Sequence, residues 1–258
     1  MILTYDIGNA NIVMHCVENG EALCRFVLSS NKERTPDEYA AVMELLAAKK
    51  GVRLADAAGA VIASVVPQLT DVLAAAVRFC AGVQPLIVGP GVKTGLNIRM
   101  DAPNELGGDL VAAAVGAQGV YPLPCILIDM AAATAVGVLD GKGCYIGGLI
   151  CTGVATGQTS LSRSASQLPN VSLRAPGKVI GKNTVDGMQS GLIYGAAAML
   201  DGVIDRIEAE LDQRAAVVAT GDIAAAIIPY CRRDDIVIDH DLVMRGLWNI
   251  YKKNRDKA

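Results

Sequence analysis

Residues 125–151, CILIDMAAATAVGVLDGKGCYIGGLIC, repeat the layout of residues 2–28, ILTYDIGNANIVMHCVENGEALCRFVL. Each stretch opens on an apolar strand ending in an aspartate, Asp6 in the first and Asp129 in the second. Each then passes through a turn of small residues into two further strands, joined by Asn19-Gly20 in one copy and Gly141-Lys142-Gly143 in the other. Two copies of one strand-turn-strand unit predict a duplicated fold, with a cleft between halves where the two carboxylates face a shared ligand. On these residues alone, a chance likeness of two short hairpins is the competing reading.

Outward from the two copies, the chain alternates strand and helix, which predicts an α/β layer structure. Thr35-Pro36-Asp37-Glu38 supplies an N-cap, a proline at the first helical position and two acids in the first turn, so a helix is expected to about Lys50. A strand is expected in residues 58–66, a helix over about 68–80, a strand at 85–89 and an alanine-rich helix within 103–119. Pro122 and Pro124 mark the boundary, giving halves 1–119 and 120–258. Beyond a small-residue segment at 148–169, a helix is expected from about Asp186 to Leu211. Gly187, Gly191, Gly195 and Gly202 lie on it at near-helical spacing, read as a close-packing or dimer face. A strand at 217–220 and a helix from about Asp241 to Asn254 complete the chain.

Composition narrows the function classes. Lys+Arg 23 against Asp+Glu 26 gives a formal charge of -3, so no broad basic field exists for a phosphate backbone. With aromatic residues at 4% there is little to build a base-stacking platform, and nucleic-acid binding is not expected. No apolar run reaches the roughly 18 residues of a membrane span, and the first residues lack a basic leader, so a cytoplasmic protein is expected. The seven cysteines form no C-x-x-C pair and sit in apolar settings, as buried reduced thiols do.

The opening Asp6-Ile7-Gly8-Asn9-Ala10-Asn11 resembles the first phosphate-binding loop of the type III pantothenate kinases, members of the acetate-kinase, sugar-kinase and actin superfamily. The same family is suggested in order by RTPDEY from Arg34, ASVVP from Ala63, PLIVGPGVKTG from Pro85, IRMDAP from Ile98, GGLI from Gly147, Leu168-Pro169, and IGKNTVDGMQSG from Ile180. These strings cover nearly the whole chain. The resemblance implies a twice-repeated ribonuclease-H-like fold, a homodimer, and ATP-dependent phosphorylation of pantothenate, the first step toward coenzyme A. It implies Asp6 with Gly8, Asn9 and Asn11 at the ATP phosphates and Mg²⁺, and Asp109 as the base, preceded by Gly107 and Gly108 at the substrate. It further implies Thr134 and Gly148 at the nucleotide, Asp129 at a monovalent cation, K⁺ or NH₄⁺, and Thr184 reaching pantothenate across the dimer. Phosphoryl transfer is mainly positioning and charge neutralisation, and these residue types suit it.

The departures from the family pattern are concentrated at ligand-facing positions. Ala10, Ala131, Ala132 and Ala135 stand where the family has Thr, Gly, Thr and Thr, and Leu110 stands where it has an arginine. Met100, Ala102, Thr152 and Asp222 replace its Tyr, Asn, Pro and Gly. A hydrogen bond to a charged partner contributes about 1.5–3 kcal/mol, so three lost hydroxyls near phosphate amount to on the order of 5 kcal/mol. The alternative to a working kinase is therefore a weakened or inactive paralogue, kept as a dimeric binding or regulatory module. A kinase for another small alcohol, favoured by the more apolar acceptor side at Met100 and Leu110, is a third reading.

Overall fold

The computed structural model describes residues 1–255, which form two compact units, one of residues 1–120 with the chain from Asp241 onward and one of residues 121–240. In the first unit β1 (Ile2–Ile7), β2 (Asn11–Glu18) and β3 (Glu21–Ser29) make an antiparallel meander. The chain continues through α1 (Pro36–Ala48), β4 (Gly59–Ser64), α2 (Pro67–Ala81), β5 (Leu86–Ile87) and α3 (Gly108–Ala117). The sheet order is β3-β2-β1-β4-β5, with β4 parallel to β1 and β5 parallel to β4.

The second unit runs through β6 (Cys125–Met130), β7 (Ala133–Leu139), β8 (Tyr145–Thr152), α4 (Val154–Ser164), α5 (Thr184–Leu211), β9 (Ala216–Thr220), α6 (Ala224–Ile227) and β10 (Val237–Ile238). Its sheet order, β8-β7-β6-β9-β10, is that of the first unit element for element. The duplication extends to register. Asp6 lies between Val13 on the antiparallel neighbour and Ala63 on the parallel one, and Asp129 lies between Ala135 and Thr220 in the same sense. The two acidic strand ends therefore hold equivalent places.

Strand alternation sorts the first sheet's faces. Leu3, Tyr5 and Ile7 point into a core shared with Tyr39 and Met43 of α1 and Leu69 and Leu73 of α2. The opposite face, carrying Thr4 and Asp6, is covered by α3 and by α7 (Leu242–Arg255). In the second unit Ile126, Ile128 and Met130 pack against Ile193, Ala197, Leu200 and Ile204 of α5.

Local signals explain most elements. At α1, Thr35 and Glu38 form a reciprocal capping box and Pro36 takes the first position. Other details differ from the sequence expectation. The last helix, expected in the second half, belongs to the first unit because it docks on α3 through bare helix surfaces; residues 256–258 of that expected half lie outside the described residues. Residues 103–119 divide into a 3-10 turn at Pro103–Glu105 and α3, because the backbone is extended at Leu106 and at Gly107, which precedes the first helical residue. The small-residue segment after β8 contains α4, whose Ser, Thr and Gly content favours loops. That helix is held by the segment that follows it, through Gln158 Nε2 to the Val171 carbonyl and Ser162 Oγ to the Pro169 carbonyl at 3.2 Å.

Close packing of the α5 glycines within the chain is confined to the helix start, where a Cβ on Gly181 would lie 2.8 Å from Gly187 Cα. A Cβ added at Gly187, Gly191 or Gly195 would meet nothing within 4 Å, and at Gly202 only the Arg206 guanidinium at 3.1 Å. The close helix contact lies elsewhere. A Cβ at Gly116 would come 3.0 Å from the Leu242 carbonyl carbon, and one at Gly246 2.6 Å from that of Ala112, so α3 and α7 meet backbone to backbone. All seven cysteines are free thiols, five of them buried.

Candidate active site

The first unit brings Asp6, the Gly8–Asn11 turn and Asp109 to one end of its sheet, outside the carboxyl ends of the parallel strands β1, β4 and β5, where open α/β sheets bind ligands. Asp6 is the next-to-last residue of β1 and is half-buried. The turn after it closes through Gly8 N–H donating to the Asn11 carbonyl at 2.9 Å, and a Cβ on Gly8 would press on that oxygen at 3.1 Å. Ser30 buttresses the turn, its Oγ donating to the Gly8 carbonyl at 2.5 Å and its N–H to the Ala10 carbonyl at 2.9 Å. Asn9 and Ala10 form its exposed tip.

Asp109 is the second residue of α3. Gly107 and Gly108 let that helix end press onto the sheet. A Cβ at Gly107 would meet Val65 Cγ1 at 3.3 Å, and one at Gly108 would meet the Val88 carbonyl at 3.4 Å and Ala63 Cβ at 3.6 Å. Ala63 is the direct sheet neighbour of Asp6 and points the same way, so both carboxylates lie on one face at one end of the sheet. Burial pushes the Asp109 carboxyl above the usual aspartate range; the N–H of Leu110, donating to Oδ1 at 2.8 Å, and its own N–H pull it partly back. A carboxylate destabilised in this way is a better proton acceptor than an exposed one.

The second unit builds a matching turn after Asp129. Ala131 N–H donates to the Ala133 carbonyl at 2.9 Å. Two glycines pin this turn from opposite sides. A Cβ on Gly153 would lie 2.6 Å from the Ala131 oxygen, and one on Gly221, whose φ is +95°, would lie 2.7 Å from the Met130 carbonyl carbon. Thr156 Oγ1 donates to the Ala132 carbonyl at 2.6 Å. Thr134 is 1% exposed and lies opposite Met130 in the β6–β7 ladder.

Not every expected residue joins these clusters. Gly148 stands four residues along β8 from the Thr152 that pairs with the turn, and a Cβ there would lie 2.9 Å from the Val136 carbonyl carbon, so the sheet itself accounts for this glycine. Thr184 opens α5, exposed, beside Asn183, whose Oδ1 accepts the Asp186 N–H at 2.9 Å. Ser30, Gly153, Thr156 and Gly221 were not among the expected site residues. Gly153 and Gly221 follow turn threonines and were legible as turn glycines, whereas nothing local marks Ser30 or Thr156.

A sequence model described as type III pantothenate kinase matches residues 2–206. The chain belongs to that family. The type III pantothenate kinase of Moorella thermoacetica is 40% identical over 254 residues, covering 98% of this chain and 100% of that protein. That of Halalkalibacterium halodurans is 38% identical over 254 residues, with 98% and 100% covered. Among solved structures, component A of the (R)-2-hydroxyglutaryl-CoA dehydratase of Acidaminococcus fermentans superposes with a TM-score of 0.57 at 13% identity over 98% of each chain. The ROK hexokinase of Thermus thermophilus does so with a TM-score of 0.52 at 14% identity over 99% of each. At such identities these likenesses concern fold alone, and they agree with the doubled α/β architecture expected from the sequence.

Within the family frame, Leu110 follows Asp109 directly and is half-buried, as is Met100. Leucine offers neither charge nor planar donors, so nothing at position 110 does the work of an arginine. At the second turn, Thr156 brings a hydroxyl to the Ala132 carbonyl although residue 132 itself has none.

Proposed function

We propose that the chain transfers the γ-phosphoryl group of ATP to the hydroxyl of pantothenate, giving ADP and 4′-phosphopantothenate, the first step of coenzyme A biosynthesis. The observation that carries this reading is the half-buried Asp109 carboxyl on the same face and sheet end as Asp6. The acceptor oxygen attacks the γ-phosphorus as the bond to the β-phosphate oxygen breaks, and the alcohol proton passes to Asp109 Oδ. An aspartate suffices as base because the loose transition state releases the proton late. Gly107, where a Cβ would overlap Asp109 Oδ1, leaves the carboxylate open to the acceptor beside Gly108, and the small turn of Gly8, Asn9 and Asn11 lies against the phosphates.

Among the described residues no three Asp, Glu, His or Cys side chains gather as a metal cage. Mg²⁺ bound with a nucleotide needs only one or two carboxylates beside phosphate oxygens and water, so Asp6 at the edge of a glycine turn fits it. Bound there, Mg²⁺ would neutralise charge on the phosphate oxygens. Asp129 and its turn are assigned to the phosphates and a monovalent cation, K⁺ or NH₄⁺, with Thr134 beside them. Thr184 is assigned to pantothenate from a partner subunit of a homodimer; the exposed glycine stripe of α5 beside it supports a face for that partner. No helix among the described residues is long and apolar enough to cross a membrane; a cytoplasmic location is part of the proposal.

The alanines at 10, 131 and 132 and Leu110 favour a second reading, a paralogue with weakened nucleotide binding. Purified protein with Mg-ATP, K⁺ or NH₄⁺ and pantothenate is expected to produce ADP. No ADP at high protein concentration, with a family enzyme turning over alongside, would reject the kinase assignment. ATP titration by calorimetry then separates a degenerate nucleotide site from a different acceptor.

A further inference from the structure

Residues 89–107 leave the first unit's sheet after Val88, whose N–H donates to the Ile62 carbonyl at 2.8 Å, and return at Gly108, which faces the same Val88. The excursion is a loop whose ends touch, with Asp109 at its return point. Its regular structure is slight, chiefly the 3-10 turn at Pro103–Glu105, and exposed residues alternate with half-buried ones along 91–102. A loop of this kind needs holding from outside.

The last turn of α7 holds it. Asn254 pairs with Lys93 as a strand neighbour would: Lys93 N–H donates to Asn254 Oδ1 at 3.2 Å, and Asn254 Nδ2 donates to the Lys93 carbonyl at 2.9 Å and to the Ile250 carbonyl at 2.8 Å. Lys253 Nζ donates to the Thr94 carbonyl at 3.2 Å. It reaches that carbonyl across Gly95, whose φ of +77° and missing side chain leave room for the ammonium group. The helix doing this is firmly seated, through its backbone contact with α3 and through Tyr251 Oη, which donates to the Ala58 carbonyl at 3.3 Å. One helix thus grips both the element that carries Asp109 and the far end of the loop that leads into it.

We propose that Asn254, assisted by Lys253, is a positioning residue for the acceptor: it fixes residues 89–107 in the shape that the alcohol meets beside Asp109, and so sets affinity for pantothenate without entering the chemistry. The inference rests on Asp109 being the base. Lys93 is exposed, so its backbone groups turn to water when the amide is removed, and the fold loses little. What is lost is order in the loop, which the acceptor must then restore on binding.

The test compares Asn254→Ala and Asn254→Asp with the parent full-length chain. Asn254→Ala is expected to raise the KM for pantothenate about 5- to 10-fold, with kcat and the KM for ATP within about twofold and the melting temperature unchanged. Asn254→Asp keeps the acceptor for Lys93 N–H but turns a carboxylate oxygen toward the Lys93 and Ile250 carbonyls, so its effect is expected to equal or exceed that of Ala. Hydrogen exchange in the Ala variant is expected to quicken at residues 93–107 and stay unchanged along α3. An unchanged pantothenate KM, equal rises in both KM values, or unchanged exchange at 93–107 would overturn the proposal. A parent chain with no pantothenate turnover would sink the kinase assignment instead. That case is told apart because exchange at 93–107 still reports whether Asn254 orders the loop.

Discussion

Gly246 lies in the second turn of α7, where helix propensity alone favours alanine by about 1 kcal/mol. In the folded chain a Cβ there would overlap the Ala112 carbonyl oxygen and come within 2.6 Å of its carbon and 3.0 Å of its Cα. Carbon atoms in contact prefer about 3.5 Å or more, so α7 has to retreat from α3 by roughly 1 Å. The seam it would open includes Val111, Ala112 and Val115 on one side and Leu242, Val243, Leu247 and Ile250 on the other, all buried. Overpacking of this kind costs about 1–3 kcal/mol, so Gly246→Ala is expected to destabilise despite its better propensity.

Gly157 on α4 is the matched control. There an added Cβ meets only Leu192 Cδ2 at 3.8 Å and Thr152 Cγ2 at 3.9 Å, ordinary contacts, and alanine is expected to stabilise by about 0.5–1 kcal/mol. The assay is urea unfolding followed by circular dichroism and by Trp248, the sole tryptophan, which lies two residues from Gly246. With a slope near 2 kcal/mol per molar, the Trp248 midpoint of Gly246→Ala should fall by about 1 M. A Gly246→Ala chain as stable as its parent would refute the backbone-contact argument.

Three further outcomes are expected. Asp109→Asn keeps the Leu110 N–H contact yet should lower kcat about 10²- to 10⁴-fold. Because burial raises the Asp109 carboxyl, its ionised form is disfavoured in the fold and its stability contribution is lost as pH rises through the folded value; the Asn variant should therefore melt higher at neutral pH, and the parent's kcat/KM should fall on the acid side at a pH above that of an ordinary aspartate. Burial lowers His15 to about 4, against the upward pull of Asp241 and with a further downward push from Arg25, so the unfolded chain binds more protons than the folded one between about pH 4 and 6.5. Stability should thus fall, by on the order of 3 kcal/mol, as pH drops through that window, and a His15→Leu chain should show a flatter melting profile there. Arg233 is 11% exposed and serves Glu208, Asp235 and the Ala215 carbonyl together; Arg233→Met should cost about 2–3 kcal/mol by urea unfolding, because the Glu208 carboxylate keeps the Ala215 N–H and the Arg214 charge but loses its ion pair.

The fold was legible wherever one residue type has one local meaning. The acidic ends of β1 and β6 and the Thr35-Pro36 start of α1 lie where the pattern put them, because strand period, turn glycine and helix cap are local signals. The return of α7 to the first unit was hidden, since it depends on Gly116 and Gly246 meeting backbones more than a hundred residues away in sequence. The α5 glycines carried the same sequence signal, yet Gly187 meets only the nearby Gly181 backbone and Gly191 and Gly195 have no such neighbour in the chain. Small residues say that a close approach is permitted, not where it occurs. The site divides in the same way: Asp6 and Asp109 were named from motifs, whereas Ser30 and Thr156, which brace the two turns, act through partners set by the tertiary fold.

The course of both acidic turns is set by main chain. The first is closed by Gly8 N–H on the Asn11 carbonyl and held by Ser30; the second is closed by Ala131 N–H on the Ala133 carbonyl and flanked by Gly153 and Gly221. None of these contacts needs a side chain at positions 10, 131 or 132. Alanine there changes what a turn offers to a phosphate group while leaving its path alone, so the departures from the family pattern and the retained fold are compatible. On the proposed site assignment, loss of the hydroxyls is expected to act on nucleotide affinity and not on folding. The strength of ATP binding, measured apart from stability, is therefore the quantity on which the working enzyme and the weakened paralogue diverge.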